Sequence, residues 1–565
     1  MKWTRKTNIT IDEIKKISKE LDKDELIIKI LLNRGFTNEQ IRITLNDWHE
    51  AILPPAKLTN AVEAANLITG YLKNPNAEIW IYGDYDGDGI TSTYIMSEAL
   101  KEVAHCDVNG FYPNRSEGYG LSMRFCENLI KMKKDKDILV ITVDNGITKI
   151  EEIKYLKEHN IEVLVTDHHV AKETVPDCLI VDPHNNNEPD TFKHLCGASV
   201  AFKVAQLVQE NFGVNNMLNY VYAVAIATIT DMMPLNHPEN FAFLNYGLTH
   251  MNSNECPAGI KAFKEFSGKD TLTSTDIGWE LGPRLNSCGR LNQTEFASIL
   301  FTETDGEALD DYVIELEQIN AKRKSYSDKA KKMIKELNFD NDKVCVIKSN
   351  DYPEGVIGII AGEVQKTFNK PTLILHEKDG ILVGSARTAN GVNLQELFSF
   401  EETQGNIVSF GGHAAAAGVQ VDVDKLNDLK ASFNKNIEQF ITDESDTEKE
   451  LFIDEIINLE HLNVSTFNLL STIPFDNKTL PTPVFSLVNV DIIKEPKHSK
   501  NNPNNICFSI KDDKGRRADL WAWGMADKYK ELGSPKKMHI AGNLTRNFLR
   551  PGTFTLKIVD FISAQ

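Results

Sequence analysis

No Cys-x-x-Cys pair occurs in this 565-residue chain, and its eight cysteines (106, 126, 178, 196, 256, 288, 345 and 507) are scattered. That spacing excludes a thiolate zinc site and offers no disulfide framework, so reduced thiols and a cytoplasmic setting are expected. No apolar run approaches the roughly 20 residues that span a bilayer. The first residues, Met1 to Lys6, lead into a charged pattern rather than an apolar core, so neither secretion nor a membrane partner is expected. Positive charge is also short: 62 Lys and Arg face 81 Asp and Glu, a net −19. Phosphate contacts need Lys and Arg, so this balance weighs against a general polyanion binder. The deficit is uneven, because from Leu451 onward 15 basic residues face 12 acidic ones, leaving about −22 on the rest.

What is present is an ordinary globular composition, 41% hydrophobic and 25% charged, in a chain long enough for three or four domains. Residues 1–75 read as helices, with Asn33-Arg34-Gly35 as a stop and Thr37 to Gln40 as a capping box. From about 76 to 235, short apolar runs alternate with helical patterns, which predicts β-α repeats around a parallel sheet. Leu309, Tyr312, Val313, Leu316, Ile319, Tyr326, Ala330, Met333 and Ile334 recur at three- and four-residue spacing and predict one long connecting helix. A second α/β unit runs from Lys343 to about 440, and Asp443 to Glu450 forms an acidic stretch suited to a linker. Short alternating strands then predict a small β-barrel.

Asp84, Asp86 and Asp88 fall within five residues, directly after the apolar run Ile79 to Tyr82. Like charges this close repel unless a cation sits among them. Acidic residues end three further apolar runs, at Asp144, at Asp167-His168-His169 and at Asp231, the last after an Ala-rich run that fits helix as well as strand. Parallel sheets gather ligands at the C-terminal ends of their strands. A calcium EF-hand loop is excluded, because its twelfth position would be Ile95 where a bidentate Glu is required. Carboxylates joined by one imidazole suit Mn²⁺ or Mg²⁺, and two such ions polarise a phosphoryl oxygen and lower the pKa of a bridging water. Adjacent His168 and His169 cannot both point one way, so one is expected to ligate metal and the other to meet a phosphate or donate a proton.

Gly83-Asp-Tyr-Asp-Gly-Asp-Gly89, Val143-Asp-Asn-Gly146, Thr166-Asp-His-His169 and Thr230-Asp-Met-Met-Pro-Leu235 resemble, in order and spacing, the four motifs of the DHH phosphoesterase superfamily. The resemblance implies two divalent ions, Mn²⁺ or Mg²⁺, with ligands Asp86, Asp88, Asp144, His168 and Asp231 and with Asp84 as a further ligand or support. It makes Asp144, His168 and His169 the catalytic candidates, with His169 facing phosphate. Many superfamily members have a histidine where this chain has Tyr82, and Asp84 would then replace it. Ser409 to Gly418, with Gly411, Gly412 and His413, resembles the Gly-Gly-His motif of the DHH-associated domain, and Arg387 lies upstream. Over nearly the whole chain the resemblance is to the RecJ-like branch, including the loops that hold Arg115, Arg284 and Arg290.

The resemblance implies an α/β fold of two α/β lobes joined by a long helix, with a C-terminal oligonucleotide-binding β-barrel. The corresponding segments are a helical part at 1–75, a DHH catalytic domain at 76–305, a connecting helix at 306–340, a DHH-associated domain at 341–442 and the barrel at 451–565. Arg115, Arg284, Arg290 and Arg387 can clamp backbone phosphates, with structural salt bridges as the alternative. On the barrel, Arg516, Arg517, Arg546, Phe548 and Arg550 are expected to face nucleic acid, whereas Trp521 and Trp523 are read as core. The implied activity is metal-dependent hydrolysis of single-stranded DNA from its 5′ end, in recombination and repair, with a single-strand-binding protein and a helicase as partners. Two rivals are a DHH nanoRNase or cyclic-dinucleotide phosphodiesterase and a metal-free replication scaffold.

Overall fold

The computed structural model describes residues 2–5, 9–171, 173–184, 192–441, 450–471, 473–475, 480–500, 502–547, 550 and 552–564. The acidic stretch from Asp443 lies outside them except for Glu450, and so does Phe548.

Five short strands, four of them rich in Ile, Leu and Val, form a wholly parallel sheet in the order Asp107–Phe111, Ala77–Tyr82, Asp137–Val143, Glu162–Thr166, Leu179–Val181. Helices cover both faces, which is why Ile79, Ile81, Leu139, Val140, Ile141 and Val163 are all buried. The chain goes from Ala77–Tyr82 to one neighbour and returns to the other side for Asp137–Val143, so the strand order reverses between these two. Parallel sheets open a crevice at such a reversal, beyond the C-terminal strand ends. The run before Asp231 departs from the strand endings: Val221–Thr230 is a buried helix that satisfies its own backbone in the core.

A nearly continuous helical rod, Ser274–Asp276, Ile277–Leu281 and Gly282–Arg290, passes the crevice, and its middle part is a π-turn. The connecting helix is Gly306–Ile334, 29 residues or about 44 Å at 1.5 Å each. It leads to a mixed five-stranded sheet ordered Ser409–His413, Ala416–Asp422, Ile381–Arg387, Thr372–Lys378, Cys345–Lys348, in which only the last two strands are parallel. This lobe has its own apolar cores, one around Phe398 and Phe433 and one around Ile357 and Ile360.

The last unit is a curled sheet of five principal strands, Phe485–Ile492, Ile506–Lys511, Arg517–Ala522, Lys537–Arg546 and Phe554–Ser563. Its interior, including Phe508 and Phe561, is continuous with the core of the first lobe. The two tryptophans correct the sequence expectation. Leu520 and Ala522 pair with Phe508 and Ile506 and point inward, so the period of two turns Trp521 and Trp523 outward. Trp523 is 52% exposed, and the two rings stack at 5.3 Å and 16°.

The N-terminal part is helical as expected, with the Thr37–Gln40 capping box formed, but it begins with a strand. Lys2–Thr4 pairs in parallel with Glu450–Phe452, and Trp3 Nε1 donates to Asp560 Oδ2 at 2.8 Å. Arg34 adds a two-pronged contact to the buried Asp454 carboxylate, at 2.7 and 2.9 Å, and Asn33 Nδ2 donates to Asp454 O. The first segment thus fastens the barrel to the first lobe.

Candidate metal centre

Each acidic side chain enters the crevice from a different element. Asp84 follows the strand Ala77–Tyr82, and Asp86 caps the helix Gly87–Lys101 by accepting from the N–H groups of Asp88 and Gly89, both at 3.1 Å. Asp88 stands in the first helical turn, and its two oxygens accept from Gly197 N–H and Ala198 N–H at 2.7 Å each. Those amides begin the helix Gly197–Asn211, whose positive end favours a carboxylate. Asp144 leaves the strand Asp137–Val143 in the left-handed region, at φ 60°. The Gly197 backbone presses on it so closely that an added Cβ would lie 2.5 Å from Asp144 Cβ.

Three overlapping groups could hold a cation, with ligand atoms inside 4.8 Å of one another: Asp84, Asp86 and Asp144; Asp88, His168 and Asp231; and Asp144, His168 and His169. His168 Nε2 lies 3.1 Å from Asp144, 3.6 Å from Asp88 and 3.7 Å from Asp231. Burial, then the charge of Asp86, raises the Asp84 carboxyl well above its ordinary range; burial and Asp88 do the same to Asp144. Asp88 is pushed up to about 6 by burial and Asp86, while burial followed by the neighbouring His169 lowers His168 to about 3. Asp84 Oδ1 is buried without a hydrogen-bond partner. Crowded, partly unsatisfied carboxylates beside a neutral imidazole are the donor set of a divalent ion.

Tyr82 stays out of this set: it is buried, stacks on Phe111 and donates from its hydroxyl to Gly120 O. Asp84 sits inside the cluster instead. Against the expectation that the adjacent histidines diverge, the His169 ring stays 4.5 Å from that of His168 and both offer a ligand atom to one group, while His169 Nδ1 lies 2.8 Å from Asp167 Oδ1. Burial opposes its charge, but Asp167 outweighs burial and raises the ring to about 9. Two partners here had been given no role on sequence grounds. Asp167 also accepts from Ile147 N–H at 2.9 Å, and the Tyr119 hydroxyl lies 3.1 Å from His169 Nδ1 and 3.2 Å from Nε2. Asp167 belongs to the Thr166–His169 motif and Tyr119 to the loop that holds Arg115, so residue type within those segments was the available signal.

The arginines divide. Arg115 lies 4.0 Å over the Tyr85 ring, and Arg290 is half-buried and donates to Gly355 O in the second lobe at 3.0 Å. Burial, then Arg115 and Arg323, lowers Arg290 to about 10, and the nearby Asp86 and Arg387 also act on it. Arg115, Arg290 and Arg387 therefore converge where the lobes meet, joined by Arg323, which the sequence reading had not singled out. Gly411, Gly412 and His413 lie on the exposed edge strand of the second lobe. Arg284 corrects the phosphate expectation: it bonds Glu280 O at 2.7 Å and Glu317 at 2.6 Å, because the acidic long helix lies against it. On the barrel Arg516 is likewise tied to Asp512 and Glu460, and Arg550 to Asp519. Arg546 covers the Phe467 ring at 5.3 Å, and Arg517 is exposed.

A parallel sheet that gathers carboxylates and an imidazole at its reversal point, beside a second mixed lobe, defines a DHH-type protein. The model of the DHH family, N-terminal domain, matches residues 78–228, that of the DHHA1 domain residues 341–439, and that of the RecJ OB domain residues 453–559. The single-stranded-DNA-specific exonuclease RecJ of Haemophilus influenzae is 30% identical over 564 residues, covering 94% of this chain and 96% of the relative. Its namesake from Bacillus subtilis is 29% identical over 551 residues, covering 95% of this chain and 67% of the relative. The crystal structure of RecJ in complex with Mn²⁺ from Thermus thermophilus superposes with a TM-score of 0.81 at 25% identity, covering 100% of this chain and 80% of that one. The chain belongs to the RecJ family.

Proposed function

We infer that this protein is a metal-dependent exonuclease that hydrolyses phosphodiester bonds of single-stranded DNA. The observation that carries the reading is the set of interlocking ligand groups that share Asp144 and His168 at the sheet reversal. In this reading Asp84, Asp86 and Asp144 hold one divalent ion, and Asp88, His168 and Asp231 hold the other. Bound there, Mn²⁺ or Mg²⁺ supplies polarisation of the phosphodiester and a more acidic water.

The chain's own groups do the rest. Asp167 fixes the His169 ring through Nδ1 and favours its charged form, in which the ring can donate to a phosphoryl oxygen. Arg115, Arg290 and Arg387 offer a cationic seat for the strand end at the junction of the lobes. The Asp88 carboxylate, held by two amides of the Gly197–Asn211 helix, keeps its aim when the strand enters. A 5′-to-3′ polarity, a cytoplasmic location and cooperation with a helicase and a single-strand-binding protein belong to the same proposal. So does the division into 1–75, 76–305, 306–340, 341–442 and 451–565. Among the described residues no helix is long and apolar enough to cross a membrane.

The test uses end-labelled strands of both polarities, single and duplex, with Mn²⁺, Mg²⁺ or chelator. Digestion of single strands from the 5′ end with metal, and resistance of a blunt duplex, is the expected result. Efficient cutting of the blunt duplex, or cutting in chelator, would contradict it. The diesterase and scaffold rivals are disfavoured, since the barrel matches the RecJ OB domain and the ligand groups are intact.

A further inference from the structure

Trp279 is 66% exposed, on a chain whose other large aromatic side chains are mostly buried. It lies in the π-turn Ile277–Leu281 of the rod that borders the metal centre. π-turns insert an extra residue into a helix and concentrate at functional positions. Two glycines press this part of the rod against the element that ends in Asp231. A Cβ on Gly282 would lie 2.7 Å from Thr230 Cγ2, and one on Gly278 would lie 3.2 Å from Ile229 Cγ2. Further along, Asn286 Oδ1 accepts from Gly87 N–H at 2.8 Å, and Gly289 packs on Tyr85 O. The rod is thus fitted to the carboxylate loop along its length, with Trp279 standing out at its near end.

Met232 stands just past the end of the helix on which Gly278 and Gly282 pack. It directly follows Asp231, is 56% exposed, and has φ 56°, a left-handed conformation that costs about 1–2 kcal/mol for an ordinary L-residue. The turn bonds Met232 N–H to Ile229 O and Met233 N–H to Thr228 O hold it there. Along the same rod the charges are already matched: Lys269 pairs with Asp276 and Glu280, and Arg284 with Glu317. The exposed ring therefore offers an aromatic face rather than charge. A nucleobase is the ligand that uses such a surface, since every base has a face that stacks and none needs a specific hydrogen bond.

We propose that Trp279 is a base-stacking platform at the rim of the metal centre that seats a nucleobase of the strand being cut. The proposal rests on the reading of the protein as a single-strand nuclease and adds to it a place for a base, where the metal centre and arginines handle only phosphates.

Binding tests it, with fluorescence anisotropy of a labelled single-stranded 20-mer in Ca²⁺, using the full-length protein and strands carrying one abasic position moved along the end. Trp279→Ala should bind the intact strand about 5- to 150-fold more weakly, the worth of one base–aromatic stack. Trp279→Phe should keep most of the affinity. One abasic position should cost the wild type the same factor and cost Trp279→Ala nothing more. Intact-strand affinity within twofold of wild type for Trp279→Ala, or a loss undiminished on every abasic strand, would overturn the platform. A wild type that binds no single strand overturns it as well. A wild type that binds strands but fails to cut them with Mn²⁺ leaves the platform result standing and removes the nuclease reading, so the two failures are distinguishable.

Discussion

At the scale of single residues, the carboxylate cluster stores its own repulsion. Burial, followed by the charge of Asp86 for Asp84 and of Asp88 for Asp144, raises both carboxyls well above their ordinary range, so in chelator they oppose folding more as they ionise. A group whose folded pKa is raised contributes stability that is complete below its unfolded value and is lost as pH rises through the folded value. Asp84→Asn should therefore melt higher than wild type in chelator, with a difference that is small near pH 4 and grows toward pH 8. With Mn²⁺ the order should reverse, because the variant lacks a ligand of the Asp84, Asp86 and Asp144 group and the wild type gains that site's ligand-linked stabilisation in addition, about 2.7 kcal/mol at a hundred times the Kd. Differential scanning calorimetry across pH, with and without metal, reads both. Gly197→Ala makes a sharper demand, since its Cβ would overlap Asp144. A displacement of about 1 Å at a reacting centre costs on the order of 100-fold, so kcat for single-strand hydrolysis should fall by that factor while the protein stays folded by circular dichroism.

At the scale of elements, the helix Gly197–Asn211 both steadies Asp88 and carries Lys203, whose ammonium is fully buried against Glu239 at 2.5 Å. Lys203 Nζ also donates to Leu53 O, and Leu53 N–H donates to Glu239 Oε1, so three segments share one charge pair. Removing one member strands the other, which costs about 3–5 kcal/mol, whereas replacing both by apolar residues is often close to neutral. Lys203→Met should lower the unfolding free energy by that amount in a denaturant titration, and Lys203→Met with Glu239→Leu should regain most of it. The sequence revealed such elements unevenly. Periodicity gave the connecting helix nearly to its ends because its apolar stripe is regular. The helix before Asp231 was ambiguous because Ala, Val and Ile at full burial carry no periodic contrast. The barrel tryptophans were misassigned because two rings at a spacing of two fit either face, and the inward face turned out to be chosen by Leu520 and Ala522.

At the scale of the whole molecule, the metal ligands were legible because the sheet delivers them from motifs that are compact in sequence. The arginine seat was less so: Arg115, Arg290 and Arg387 come from distant segments, and no local signal told them apart from Arg284, which an acidic helix captures. Equally illegible was the fastening of the barrel by the first segment. Arg34→Ala should cost about 3–5 kcal/mol, since it leaves the buried Asp454 carboxylate without its opposite charge, held among the described residues only by the Val484 N–H at 2.8 Å. Limited proteolysis should then release the barrel from the rest far sooner than in wild type, with Mn²⁺ binding unaffected.

The pairing of Lys2–Thr4 with Glu450–Phe452, and of Trp3 with Asp560, also sets a timetable. The hydrogen bond from Trp3 spans 557 positions. At ~5–20 residues per second on a ribosome, the start of the chain waits on the order of half a minute to two minutes for its partner to be made. During that interval the first lobe can fold around its sheet while this strand stands open, an unpaired edge on a nascent chain. Docking of the barrel is then the late, long-range step, slow for topological reasons and placed after the catalytic crevice is already built.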